Sequence, residues 1–234
     1  MSKQIIAIGG GGFGRNPDQC VIEQYILDQS TVENPKICFI PTATGDDDLY
    51  KLNFYVTFSR LKCQPSHLDF FKRTVNLKKL IHTQDIIFVG GGNTRSMLAV
   101  WREWGLDGIL KEAYEKGVVL SGVSAGAICW FERGVTDSWD NKLSIMDCLG
   151  YIEGVCCPHY DEEKERRPSL HRFLKEKVIS SAYGIDGECA LHFIDGSPAK
   201  TIIFGQKKNA YSVKIQDNKV VESSVHDRSF ILGQ

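Results

Sequence analysis

Residues 118–127 read VVLSGVSAGA, a continuous apolar run that breaks into small residues. VVLSGV (118–123) predicts a strand buried on both faces, and AGAICWFERG (125–134) the helix that follows it. The junction, Gly122-Val123-Ser124-Ala125-Gly126, matches G-x-S-x-G between a strand and a helix, the setting in which that pattern makes a nucleophile elbow. A turn this tight holds Ser124 in strained φ/ψ, lifts its hydroxyl above the sheet and brings a helix N-terminus close to developing negative charge. The plain alternative is a small-residue turn with Ser124 capping its helix. The strand–turn–helix setting favours the nucleophile.

Outward from this stretch the pattern repeats. QIIAI (4–8), KICFI (36–40), SHLDFF (66–71) and DIIFV (85–89) read as further strands. The segments LYKLNFYVTFSRL (49–61), RSMLAVWREWG (95–105) and DGILKEAYEKG (107–117) read as helices, as does an amphipathic segment with Val21, Ile22, Tyr25 and Ile26 on one face. Unbroken apolar strands alternating with helices predict a three-layer α/β architecture, a mostly parallel sheet covered on both faces. LHFID (191–195), KTIIFG (200–205), AYSVKI (210–215) and KVVES (219–223) are short and turn-separated, and predict antiparallel C-terminal strands. No linker or repeat divides the chain, so residues 1–234 are expected to form one domain.

Composition closes off several classes of function. The chain is 42% hydrophobic and 24% charged, with 28 Lys+Arg against 29 Asp+Glu. That balance gives no general attraction to nucleic acid or to an anionic membrane. No apolar run reaches the length of a membrane span, and the first residues, MSKQIIAIGGGG, do not read as an export signal, so none is expected. With no such signal, the eight Cys are expected to be reduced thiols of a cytoplasmic protein. Cys156-Cys157 is a vicinal pair, and no spacing resembles a zinc site.

Two glycine-rich loops follow strands. GGGGFG (9–14) formally satisfies G-x-G-x-x-G, but the second strand ends Phe39-Ile40-Pro41-Thr42 without the ribose-binding acid, which disfavours a dinucleotide site. Gly90-Gly91-Gly92-Asn93-Thr94 lets backbone N–H groups approach a ligand, and could supply one oxyanion donor while Ala125 supplies another. For a base, His67, His82 and His192 sit in or beside apolar runs and His171 on a polar helix face. His159 follows Pro158 on a constrained loop, and His226 is the rival that an α/β-hydrolase order would select.

The combination of VGGGNT, GVSAGA and then CPHY (157–160) resembles the peptidase E family of serine peptidases, which includes aspartyl dipeptidases and cyanophycinases and has a fold similar to class I glutamine amidotransferase domains. The resemblance implies Ser124 as nucleophile, His159 as base, and Gly91, Gly92 and Ala125 as the oxyanion hole. It implies an acid either shortly after the Ser, where Asp137 lies nearest and Asp140 follows, or in a segment like G-[IL]-x-E. That segment reads GIDGE (184–188), with Gly187 where the family Glu falls, leaving Glu188 displaced by one residue or Asp186 in its place. Asn93 and Arg167 are the implied substrate contacts, Arg167 for an acidic N-terminal side chain. The expected enzyme is a dipeptidase-like serine peptidase acting on short peptides without metal or organic cofactor, as monomer or homodimer. The competing readings are a non-catalytic anion-binding protein of the same fold and a Ser esterase or amidohydrolase.

Overall fold

The computed structural model describes residues 2–73, 76–140, 142–225 and 228–230. The first sheet is eight-stranded. Its parallel part consists of β1 (Gln4–Ile8), β2 (Lys36–Ile40), β3 (Gln64–His67), β4 (Ile86–Val89) and β5 (Val119–Val123), in the order β1-β5-β4-β2-β3. Alternate side chains of these strands enter opposite cores. Ile5, Ala7, Ile87 and Val89 pack on one face with Trp101 and Leu110, while Ile6, Ile8, Ile86 and Phe88 pack on the other with Ile26, Phe54 and Phe58. This is why the strands read as unbroken apolar runs.

Helices α1 (Val21–Leu27) and α2 (Asp48–Phe58) cover the second face. Helices α3 (Leu77–His82), α4 (Thr94–Glu103) and α5 (Leu106–Glu115) cover the first. The predicted third strand falls earlier than SHLDFF, with β3 ending at His67. Helix α6 (Ala125–Ile128) spans only four residues of the predicted AGAICWFERG helix. Phe131 already belongs to strand β6 (Phe131–Thr136), which folds back so closely that a Cβ on Gly134 would lie 2.2 Å from Ile128 Cγ2.

That strand opens a second, six-stranded sheet. It is built from β6, β7 (Ser144–Asp147), β8 (Ile152–Cys157), β9 (Ser181–Ile185), β12 (Ala210–Gln216) and β13 (Lys219–Ser224), with β6, β8 and β9 parallel to one another. Helix α7 (Arg166–Lys175) covers it through Leu170, Phe173 and Leu174. The remaining strands, β10 (Cys189–Ile194), β11 (Ser197–Ile203) and β14 (Arg228–Phe230), extend the first sheet beyond β1. Strand β10 runs antiparallel to both β1 and β11. Phe131, Cys156, Ile185 and Ala210 join Ile5 in one core, so the second sheet docks on the first. All eight Cys are free thiols.

The loop after β1 is anchored by Phe13, whose ring lies within 5.0–5.8 Å of the rings of Phe39, Tyr50, Phe54, Phe58 and Phe88. Glu23, fully buried in α1, accepts the Phe13 N–H at 2.6 Å. Burial pushes its carboxyl up to about 7, against the lowering effect of the N–H groups that bond it. The folded state therefore holds this proton more tightly than the unfolded chain, and stability falls as pH rises from the ordinary Glu value toward 7. Glu23→Gln keeps the acceptor and removes the charge. It should raise stability at pH 8 by up to about 3 kcal/mol and flatten the slope between pH 4.5 and 7 in urea melts. An unchanged slope would contradict this.

Candidate active site

Ser124 lies at the β5–α6 junction with φ 56° and ψ −111°, a region that costs a non-glycine residue about 1–3 kcal/mol. Three backbone bonds hold it there. Its N–H donates to Ile8 O at 3.0 Å, and its carbonyl accepts from Ala127 and Ile128 N–H, each at 2.9 Å. A Cβ at Gly126 would lie 2.2 Å from Val89 O, so the turn can press on β4 only with glycine there. Ala125 begins the helix, and its N–H therefore has no intrahelical acceptor.

His159 arrives from the other sheet, on the loop after β8. Its N–H donates to Gly9 O at 3.1 Å, which ties the two sheets together at this point. Its Nε2 lies 2.9 Å from Ser124 Oγ. The residue has φ 53°, and its carbonyl accepts from Glu162 and Glu163 N–H at 3.2 and 3.1 Å. The turn so formed swings Glu162 back onto the same ring, with Oε2 at 2.8 Å from Nδ1. Arg15, from the first glycine loop, completes the cluster. Its Nη1 donates to Glu162 Oε1 at 2.7 Å and its Nη2 lies 3.4 Å from His159 Nδ1. Burial alone would raise the Glu162 carboxyl, but the hydrogen bonds from Arg15 and His159 outweigh it and hold the group below its ordinary value.

The acid beside His159 is thus Glu162, and the sequence-based candidates lie elsewhere. Asp137 is exposed on the loop after β6, and no hydrogen bond joins it to His159. Glu188, at φ 53°, turns toward Gly205, where a Cβ would meet its Oε2 at 2.4 Å. Asp186 accepts the Asn209 N–H at 2.9 Å, and burial, followed by the charge of Asp161, pushes its carboxyl up to about 6. Position 187 explains the displacement. A Cβ there would sit 2.1 Å from Glu162 Cδ, so the Glu162 carboxylate fills the space a side chain at 187 would need.

The implied substrate contacts also fall outside the cleft. Asn93 caps α4, accepting Ser96 N–H at 2.8 Å and donating to Ser138 O at 3.3 Å. Arg167 stacks on Tyr160 and Tyr211 and pairs with Glu222 at 3.0 Å, drawn away with α7 onto the second sheet. His226 lies outside the described residues. His192, buried against the Tyr25 hydroxyl at 2.8 Å, is pushed down to about 4 by desolvation.

The cleft containing Ser124 and His159 has a volume of about 360 Å³. Gly91 and Gly92 line it beside Ser124, with Arg15, Tyr50, Leu49 and Asn53 around them. The Gly91 N–H donates to the Tyr50 hydroxyl across a long 3.3 Å, and burial pushes that phenol up to about 12, so it stays neutral. Among the described residues no three His, Cys, Asp or Glu side chains converge as a metal ligand set. No described helix is long and apolar enough to cross a membrane.

A hydroxyl on a strained strand–helix turn, in contact with an imidazole, is the arrangement of a serine-type hydrolase. The model of peptidase family S51 matches residues 5–201, and the chain belongs to that family as a serine-type peptidase. It is 49% identical over 221 residues to the uncharacterized peptidase YgaJ of Bacillus subtilis (strain 168), covering 94% of this chain and 96% of YgaJ. The uncharacterized peptidase Lin0382 of Listeria innocua is 26% identical over 153 residues, 60% of this chain and 72% of its own. In fold, the chain resembles a crystal structure of a peptidase from an acI-B1 Actinobacterium, with a TM-score of 0.65 at 18% identity over 97% of this chain and 95% of that one. It likewise resembles a Listeria monocytogenes EGD-e structure that carries the peptidase E name, with a TM-score of 0.59 at 17% identity over 96% and 100% of the two chains.

The space shared by position 187 and Glu162 yields a test. Gly187→Ala should displace only the end of a flexible side chain, leaving the melting temperature near that of the wild type while kcat falls about tenfold or more. Wild-type kcat in a folded Gly187→Ala protein would break the link between Glu162 and activity.

Proposed function

We propose that this protein hydrolyses short peptides through an acyl-enzyme, with Ser124 as nucleophile, His159 as general base and acid, and Glu162 as the carboxylate that orients it. The observation that carries this reading is the His159 ring, which bridges Ser124 Oγ at 2.9 Å and Glu162 Oε2 at 2.8 Å. With a proton on Nδ1 donated to Glu162, Nε2 accepts the Ser124 proton as Oγ attacks the peptide carbonyl. The N–H of Ala125 and that of Gly92 receive the oxyanion, joined by that of Gly91 if it leaves its long bond to the Tyr50 hydroxyl. Collapse of the tetrahedral intermediate breaks the C–N bond, and His159 returns its proton to the leaving amine. Water, activated by the same imidazole, then hydrolyses the ester.

An open cleft of about 360 Å³ favours a short peptide over a folded protein. A requirement for an acidic N-terminal residue has lost its supporting residue, because Arg167 lies outside this cleft. Arg15 is the cation among the described residues that line the cleft, and it is already paired with Glu162.

A dipeptide library read out by amine release tests the reading. Ser124→Ala should lower kcat by at least about a thousandfold with the fold intact, and His159→Ala should do nearly the same. Glu162→Gln should lower kcat by about two to four orders of magnitude, while Asp137→Asn and Glu188→Gln remain near wild type. A silent Glu162→Gln beside a damaging Asp137→Asn or Glu188→Gln would reassign the acid. Retained activity in Ser124→Ala would overturn the whole reading.

A further inference from the structure

We propose that Arg15 is a positioning residue for the hydrolysis, acting through Glu162 to hold the His159 ring in line with Ser124. The proposal rests on the Ser124–His159–Glu162 reading and adds a residue that neither the G-x-S-x-G elbow nor the CPHY segment points to. One guanidinium reaches both members of the pair. Nη1 bonds Glu162 Oε1 at 2.7 Å, leaving Oε2 for His159 Nδ1 at 2.8 Å, and Nη2 approaches that same nitrogen at 3.4 Å. The two oxygens of the carboxylate are therefore divided between two partners, which fixes its rotation as a single bond to His159 would not. Glu162 needs such a restraint, being a long, rotamer-rich side chain on an i,i+3 turn rather than within a helix.

Arg15 is itself built into place. Its N–H donates to Gly12 O at 3.0 Å, closing a turn beside Phe13, whose ring is locked among five aromatic rings. The loop approaches closely enough that a Cβ on Gly10 would lie 2.8 Å from His159 Nδ1 and 2.9 Å from Glu162 Oε2. The glycine run thus has a physical role other than cradling a dinucleotide. It lets a backbone carrying Arg15 pass directly against the His–Glu pair.

Charge strengthens the assignment. Glu163 and Glu188 also bear on Arg15, while the nearby Lys208 is held by Asp161 at 2.6 Å. Glu163 is paired with Arg166 at 2.7 Å, so Arg15 is the cation bonded directly to the carboxylate on His159. The Arg15 side chain is 50% exposed and that of Glu162 is 23% exposed. A pair this wet adds little to folding stability, so a small stability effect beside a large kinetic one is the signature of positioning.

Arg15→Ala, Arg15→Gln and Arg15→Lys, each with a melting curve, provide the test on a dipeptide the wild-type enzyme cleaves. The proposal expects Arg15→Ala and Arg15→Gln to lose about a hundredfold in kcat with KM and melting temperature little changed, the scale of a reacting group misplaced by about an ångström. Arg15→Lys, which keeps the charge and loses the fork, should fall between them and the wild type. Guanidinium added below denaturing concentration should restore part of kcat to Arg15→Ala and none to Glu162→Gln. A rise in KM at constant kcat would make Arg15 a substrate contact and overturn the proposal. So would wild-type kinetics, or a loss that follows the melting temperature without rescue. If Glu162→Gln is silent, the acid assignment falls. If Glu162→Gln is damaging and Arg15→Ala silent, only the role of Arg15 falls.

Discussion

His159 is held across a seam. Its backbone N–H bonds Gly9 O at the end of β1, its ring meets Ser124 at the end of β5, and its own chain comes from β8 of the second sheet. The candidate site therefore exists only while the two sheets are docked, and the shared core of Ile5, Phe131, Cys156 and Ile185 is what docks them. Mispacking by even an ångström would separate Oγ from Nε2, because hydrogen-bond strength falls steeply with distance and angle. Buried apolar contacts supply the adhesion, and a few hydrogen bonds supply the alignment.

Two of the nine described non-glycine residues with positive φ meet across this seam. Ser124 at φ 56° and His159 at φ 53° both occupy backbone regions that a non-glycine residue avoids. Each is restrained from several sides, Ser124 by three backbone bonds and His159 by the turn it closes with Glu162 and Glu163. The glycine loops serve the same end by removing side chains that would push the partners apart. Gly10 gives way to the His–Glu pair, Gly126 to β4, and Gly187 to the Glu162 carboxylate.

Much of this was legible in the sequence. The parallel sheet followed from unbroken apolar runs, because strands covered on both faces need both faces apolar. Ser124 followed from a strand–turn–helix pattern whose glycines have a steric purpose. Of the second sheet, the antiparallel strands β12 and β13 were legible, but β6 and β8 were not, because FERGVT and IEGVCC mix exposed and buried positions, and Trp130-Phe131 read as a continuation of the α6 helix. Glu162 escaped for another reason. An acid three residues after the base looks like part of a solvated charged run until the left-handed turn at His159 folds it back. Arg15 escaped because a glycine run suggests a ligand cradle, and nothing in its composition shows which side chain it delivers.

The central claim is that Ser124 is activated by His159 with Glu162 behind it. A crystal structure of the protein after reaction with a fluorophosphonate tests this most directly. The account predicts phosphorus bonded to Ser124 Oγ, a phosphonyl oxygen within hydrogen-bond distance of Ala125 N and the Gly91–Gly92 backbone, and Glu162 still against His159 Nδ1. An unmodified Ser124, or a different carboxylate on His159 Nδ1 in the adduct, would contradict it.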